Sequence, residues 1–509
     1  MIIALAIMTT TLVVSLLLGI RSRRSSGGEV TMEKWAVGGR SLGGVFVFLL
    51  MAGEIYTTTT FLGISGFVYG NGGAAFYTLA YVSIAYVASY WLLPAVWKYA
   101  NERKLLSQAD FFIHKYSSKS LGLVVTVIGL AGMVPFLILQ LKGLGIIVSE
   151  ASYGAIAPST AIVVSAVVLT GYVSLSGLFA AAWTAIIKDV LIVIVVGFLG
   201  VYLPLKHFDS IPDMFKAVQA KAPDFMALHT DKMDSAWFIS TVAVSALGFY
   251  MWPHLFAATF AARDPQVFRK NAVVFPIYQL FLLFVVFVGF TAYVVLPDLG
   301  KSEADLSLMR LAEESLSPLA IGFVGSAGLL AALVPGAMLL NTSGTLIANN
   351  IYKPIRGAKA TDRQITLVAR IAVPIVAIIA LGLSLSDGQA IVSLLILAYS
   401  FVTQLAPGLF LSLLRKNPAS KEGVCAGMIG GTALIGYMTV SGTSSSQIVP
   451  LLPPSLHSIS SGVVALGFNV ALVVLGTILS RIFHGRTDAA PHANPTDSPA
   501  DSIVKAGSQ

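Results

Sequence analysis

The segment MAGEIYTTTTFLG, residues 51–63, decides the fold. It places a carboxylate, Glu54, then Tyr56 and four consecutive threonines, Thr57–Thr60, inside an otherwise apolar stretch. An acidic residue at the centre of a membrane helix costs about 2.5–3.5 kcal/mol on insertion scales. A chain that keeps one there has a use for the charge or a partner for it. With Gly53 beside it, the segment reads as an interrupted helix in mid-membrane.

The flanking chain fits that reading. The hydrophobic fraction is 56% and the charged fraction 11% over 509 residues. Soluble domains carry roughly 25% charged residues, and no single soluble core hides this much apolar surface. The expectation is an all-α polytopic membrane protein in a bacterial inner membrane, in contact with the lipid bilayer. The opening MIIALAIMTTTLVVSLLLGIRSRR, residues 1–24, carries its arginines after the apolar run and has no small-residue cleavage site. It reads as a retained first span with its N-terminus outside. Cys425 is the sole cysteine, which excludes an intrachain disulfide and a cysteine metal site. The net charge of +8 belongs to cytoplasmic loops rather than to a nucleic-acid partner. There is no Walker loop, no HExxH and no GxSxG in a strand–turn–helix setting, so no enzyme activity and no ATP-driven transport are expected. No cofactor and no obligatory protein partner are expected either.

Apolar windows long enough to span recur about 13 times, near 2–20, 43–70, 74–97, 121–148, 155–174, 184–205, 237–260, 272–296, 319–349, 365–385, 389–414, 422–440 and 461–482. Loops after the odd-numbered spans are basic: Arg21, Arg23, Arg24, Lys34 and Arg40 after the first, Lys353, Arg356, Lys359 and Arg363 after the ninth. The opposite loops are acidic, with Asp209, Asp213, Asp224, Asp231 and Asp234 in one and Glu303, Asp305, Glu313 and Glu314 in another. That is the positive-inside pattern, and it favours an odd count with the C-terminus cytoplasmic. Residues 1–484 form the transmembrane domain, and 485–509, rich in Pro, Ala, Asp and Ser, read as a disordered cytoplasmic tail.

A second interruption lies in the seventh span, at GFYMWPH, residues 248–254, where Pro253 removes a helix hydrogen bond. The two breaks lie five spans apart. This suits inverted repeats over about 43–205 and 237–414, with extra spans over 422–482. Paired broken helices point to a transporter site at the midplane; ordinary kinked helices are the alternative.

GGRSLGG at 38–44, GISG at 63–66, SGLFAAAWT at 176–184, GFYMWPH at 248–254 and the AAL…NNIYK frame at 331–353 resemble the sodium:solute symporter family. The acidic residue two before Tyr56, the Trp-Pro-His of span 7 and the Val-Pro of span 9 look most like its bacterial monocarboxylate permeases. The resemblance implies a five-plus-five inverted-repeat core, alternating access and ion-coupled import. It also implies a sodium site at the carbonyls of Gly53, Tyr56 and Ala332 and at two span-9 hydroxyls. Those two positions are Pro335 and Gly336 here, neither with a side-chain oxygen. A hard cation is left short of ligands, which favours a proton as the coupling ion. A family aspartate falls on Ala185, and Asp189 lies one turn later, either as its substitute or as a partner of Lys188.

Each polar residue has a functional and a structural reading. Glu54 is a proton carrier or ion ligand, or a fixed partner of Lys142. Lys142 pairs with Glu54, attracts a substrate carboxylate, or snorkels outward. Tyr56, Thr57 and Thr58 offer hydroxyls to a solute, or bond back to the preceding turn. Gln140 lines a cavity or glues helices. Tyr250 and Trp252 suit walls around a short apolar acid, and His254 is a proton relay or a satisfied core histidine. The expected function is import of a small-molecule carboxylate with a proton or sodium ion. The rivals are a sodium symporter for pantothenate, proline or a sugar, and a non-transporting solute sensor.

Overall fold

The computed structural model describes residues 1–25, 31–228, 233–386 and 388–484. The side chains of 20, 22–25, 175–180, 358 and 484 also lie outside the description. The expected tail, Asp231, and the side chains of Arg23, Arg24 and most of the SGLFAAAWT motif therefore fall outside the described residues. The described chain is 84% helix with no strand.

Among the described residues, ten helices are long and apolar enough to cross a membrane, and the bent pair Ser235–Phe249 and Pro253–Ala261, taken as one span, makes eleven. The expected thirteen is approximate, and the difference arises in two places. The stretch Thr59–Glu102 holds 44 residues, about 66 Å as straight helix, and turns at Gly72, whose φ is +56°. The helix Pro158–His207 holds 50 residues. It doubles back, because the Tyr172 hydroxyl lies 2.8 Å from Thr184 Oγ1, whereas residues twelve apart on a straight helix stand about 18 Å apart.

The centre of the bundle is Pro318–Leu346. Its continuation to Arg356 is 94% buried over its most apolar window, against 22–67% for the other spans. Small residues make this possible: a Cβ on Gly328 would stand 2.7 Å from Phe61 and 2.8 Å from Ile147. Its C-terminal continuation, Asn349 and Asn350, is tied to the short helix Gln108–Tyr116. Both amides donate to the Asp110 carboxylate at 2.8–2.9 Å. The NNIYK motif thus anchors the central helix through hydrogen bonds to a carboxylate.

Both interrupted spans are broken as the sequence predicts. The helix Gly44–Ala52 stops at Gly53, and helical turns resume at Thr59 and run on through Ile64–Asn71. The threonines explain the restart. Thr60 Oγ1 accepts from the Thr57 amide at 2.9 Å and donates to the Thr57 carbonyl at 2.9 Å. Thr57 Oγ1 accepts from the Thr59 amide at 3.2 Å. Hydroxyls thereby satisfy amides that a half-helix leaves orphaned. In the seventh span the helix ends at Phe249 and restarts with Pro253 at its first turn, a place that needs no amide hydrogen. The Met251 carbonyl freed by this break accepts from Gln108 Nε2 at 2.7 Å.

Candidate functional site

The two breaks meet. Glu54, in the first, and His254, in the first turn after the second, pair at 2.7 Å between Oε2 and Nε2. Their side chains are 3% and 0% exposed. Each keeps a free valence: Glu54 Oε1 and His254 Nδ1 have no hydrogen-bond partner. Such a pair, fully buried and half satisfied, has capacity for one further hydrogen-bond partner on each side chain.

Glu54 opens onto a closed cavity of about 10 Å³, room for about one water. Its lining brings Thr57, Thr59 and Thr60 of the first break together with Trp252 of the second, and with Thr78, Tyr81, Phe136, Phe249, Leu255, Leu395 and Tyr399. Five aromatic rings form part of the wall. Trp252 packs against Phe136 at 5.0 Å and Tyr399 at 5.4 Å, and Tyr399 against Tyr81 at 5.5 Å. Thr59 Oγ1 has no partner. The chain is closed around this space, and a solute larger than water enters only when the walls part.

Of the six expected solute contacts, Thr57 and Trp252 line the cavity and four do not. The Tyr56 hydroxyl donates to the Tyr278 carbonyl at 3.0 Å, away from the cavity. Thr58 donates to Gln140 Oε1 at 2.5 Å, and its methyl group presses on Gly143. Thr58 and Gln140 are thus a helix–helix contact, with Gln140 Nε2 left over. Tyr250 points into a separate apolar crevice beside Leu92, Leu93 and Leu409. Consecutive residues of a broken helix face different neighbours, so adjacency in sequence did not translate into a shared wall. Thr78 and Tyr81, three apart on one face of Tyr77–Glu102, were missed. The polar spacing YTLAY, residues 77–81, was their only sequence signal.

Lys142 does not pair with Glu54. Its Nζ donates to the Gln389 carbonyl at 2.6 Å, toward the acidic-loop side. Asp305 of that loop lies nearby, capping the helix Ile391–Val402 through the Ile391 amide at 2.9 Å. Burial pushes the Asp305 carboxyl up, while that bond and the Lys142 charge pull it back. The reason is length: Lys142 sits near the end of its span, and its stem reaches the polar edge.

Asp189 instead meets Lys188, Oδ1 to Nζ at 2.9 Å, with side chains 5% and 0% exposed. The approach is off-axis, and neither Asp189 oxygen has a well-aligned hydrogen bond. Successive residues on one helix do not face each other. The same Nζ donates to the Tyr56 carbonyl at 3.4 Å. It also stands 2.9 Å from where a Cβ on Gly53 would be. Of the implied sodium ligands, Gly53 and Tyr56 therefore surround a lysine ammonium. Ala332 and Pro335 are buried in the central helix, and a Cβ on Gly336 would stand 3.0 Å from Leu169. No cluster of three or more His, Cys, Asp or Glu side chains able to hold a metal occurs among the described residues.

Two discontinuous helices joined at the midplane by a buried polar pair, inside an all-helical membrane bundle, define a secondary transporter. The chain belongs to the sodium:solute symporter family, which matches residues 35–431. It is 48% identical to the uncharacterized symporter YhjB of Bacillus subtilis (94% of this chain, 97% of that one). It is 26% identical to a monocarboxylate transport permease protein of Rhizobium johnstonii (87% and 90%). It superposes on the structure of a Na⁺-coupled sialic acid symporter with a TM-score of 0.75 at 15% identity (94% and 98%), a likeness of fold. That fold is the LeuT type, shared by transporters rather than enzymes. The chain is a multi-pass solute symporter, consistent with a bacterial cell membrane.

Proposed function

We propose that this symporter imports a short-chain monocarboxylate together with a proton. The observation that carries the reading is the half-satisfied Glu54–His254 pair opening onto a small aromatic-walled cavity. A solute carboxylate beside an ionised Glu54 is repelled. A proton arriving on the pair removes that repulsion and turns Glu54 into a hydrogen-bond donor. The half-helix Pro253–Ala261 adds the partial positive charge of its N-terminus. Anion and proton are thus each favoured by the other, which is what coupling requires. The monocarboxylate permease among the relatives supports the same class, and the proline transporters among them are less similar.

The membrane orientation in this reading is N-terminus outside and C-terminus cytoplasmic. The two repeats, about 43–205 and 237–414, move against each other to expose the cavity to either side.

The test is uptake of radiolabelled pyruvate, lactate, acetate and propionate into proteoliposomes. It is run once with an acid-outside gradient and once with a sodium gradient. Accumulation driven by the proton gradient, and competed by the other acids, is expected. Strong proline or sugar uptake untouched by these acids overturns the substrate class. Binding without accumulation under either gradient identifies a sensor.

A further inference from the structure

We infer that Lys188 is a tethered cation: its ammonium fills the cation place created by the break in the second span, and so excludes sodium from it. The inference deepens the reading of the chain as an anion importer and concerns its ion selectivity.

The argument begins with the break. Where Gly44–Ala52 ends, the half-helix presents the negative end of its dipole and carbonyls released from helical bonding. Unwound carbonyls and half-helix C-termini are where transporters hold coupling cations. Lys188 Nζ occupies that place, 3.4 Å from the Tyr56 carbonyl, with its side chain fully buried. Gly53 is what admits it, since any Cβ there would stand 2.9 Å from the ammonium.

The charges around it are few. Asp189 compensates it at 2.9 Å. The second and eighth spans bring the phenols of Tyr56 and Tyr278, whose rings pack edge to face at 5.0 Å. The first span has no ionisable side chain over residues 2–20, and the central helix has none over 318–346. The central helix also offers Pro335 and Gly336 rather than hydroxyls. The oxygens here are the Asp189 carboxylate and the Tyr56 carbonyl, and the ammonium takes them with its own charge and three donors. A tethered cation cannot be carried across, so the mobile charge is left to the Glu54–His254 pair.

The experiment measures binding of ²²Na⁺ to the purified full-length protein in detergent, with choline as the inert salt. The wild type is expected to show no binding displaceable by unlabelled sodium. Lys188→Ala leaves the Asp189 carboxylate facing the vacated place, and this variant should gain displaceable binding and a thermal midpoint raised by NaCl over choline chloride. Adding Asp189→Asn should abolish that gain. Displaceable sodium binding by the wild type overturns the inference, as does a folded Lys188→Ala that binds none. If Lys188→Ala does not fold, Lys188→Gln takes its place, and the wild-type result decides in either case. The measurement contains no organic solute, so its outcome stands apart from whether pyruvate is transported.

Discussion

Two buried acid–base pairs lie close to the same broken helix, and they are built differently. Glu54 and His254 come from different broken spans, 200 residues apart. Each has a free polar atom, and Glu54 lines a cavity. Lys188 and Asp189 are neighbours on one helix, and Lys188 also donates to the Tyr56 carbonyl. The first pair joins two broken spans that the proposed transport cycle would separate. The second stays together whatever the bundle does. A pair that spans moving parts can gain or lose a proton with each cycle, whereas a pair on one rigid element supplies a constant charge.

Breaking the mobile pair should have the largest effect. Glu54→Gln keeps shape and hydrogen bonding but removes the titrating group. Uphill accumulation of pyruvate should fall to the equilibrium level while exchange of labelled for unlabelled solute continues. Normal accumulation by this variant would falsify the coupling role of Glu54.

Breaking the fixed pair should act on stability first. Asp189→Asn strands the buried Lys188 ammonium, and removing one partner of a buried ion pair costs about 3–5 kcal/mol. His254→Asn should cost less, about 1–2 kcal/mol, because Glu54 left alone can take up a proton. Thermal denaturation of the two variants side by side decides the ranking, and the reverse order contradicts the distinction between the pairs.

The neighbouring tyrosine separates cavity from scaffold. Tyr56→Phe loses the bond to the Tyr278 carbonyl, worth about 1 kcal/mol, and should leave the KM for solute unchanged. Trp252→Leu, which removes a cavity wall, should raise it. A Tyr56→Phe variant with altered KM and unaltered stability would place that phenol at the solute after all.

A carboxylate outside the membrane gives the smallest effect and a control. Burial, then Glu150 and Glu314, push the Glu313 carboxyl up to about 8, against the pull of Arg310. Its folded form therefore holds a proton that the unfolded chain has released. The stability linked to this group is complete below its ordinary value near 4.5 and is lost as pH rises toward 8. Glu313→Gln should raise the thermal midpoint at pH 8 and leave it unchanged at pH 4. Equal shifts at both values would mean that packing, not titration, governs the site.

The class, the helical architecture and both breaks were legible in the sequence because they depend on local quantities. Apolar length sets a span, Gly53 and Pro253 interrupt the helix, and threonines supply the oxygens that a restarted helix needs. The span count was less exact, since the turns inside Thr59–Glu102 and Pro158–His207 carry no strong polar signal. Partnership was not legible. Glu54 has two buried bases within reach of its part of the chain, and sequence favoured Lys142 because it is the other charge in a long apolar span. Only the packing of the seventh span against the second brings His254 to it, and only the length of the lysine stem takes Lys142 to the edge. The same holds for Lys188. Its neighbour Asp189 was visible as a possible partner, but the place of its ammonium beside Gly53 and Tyr56 depends on how the sixth span crosses the break. Composition and helix-breaking chemistry act within a few residues, so the sequence determined membrane, helices and interruptions. Which buried charges meet is set by the relative position of helices far apart in the chain, and that is decided by tertiary packing alone.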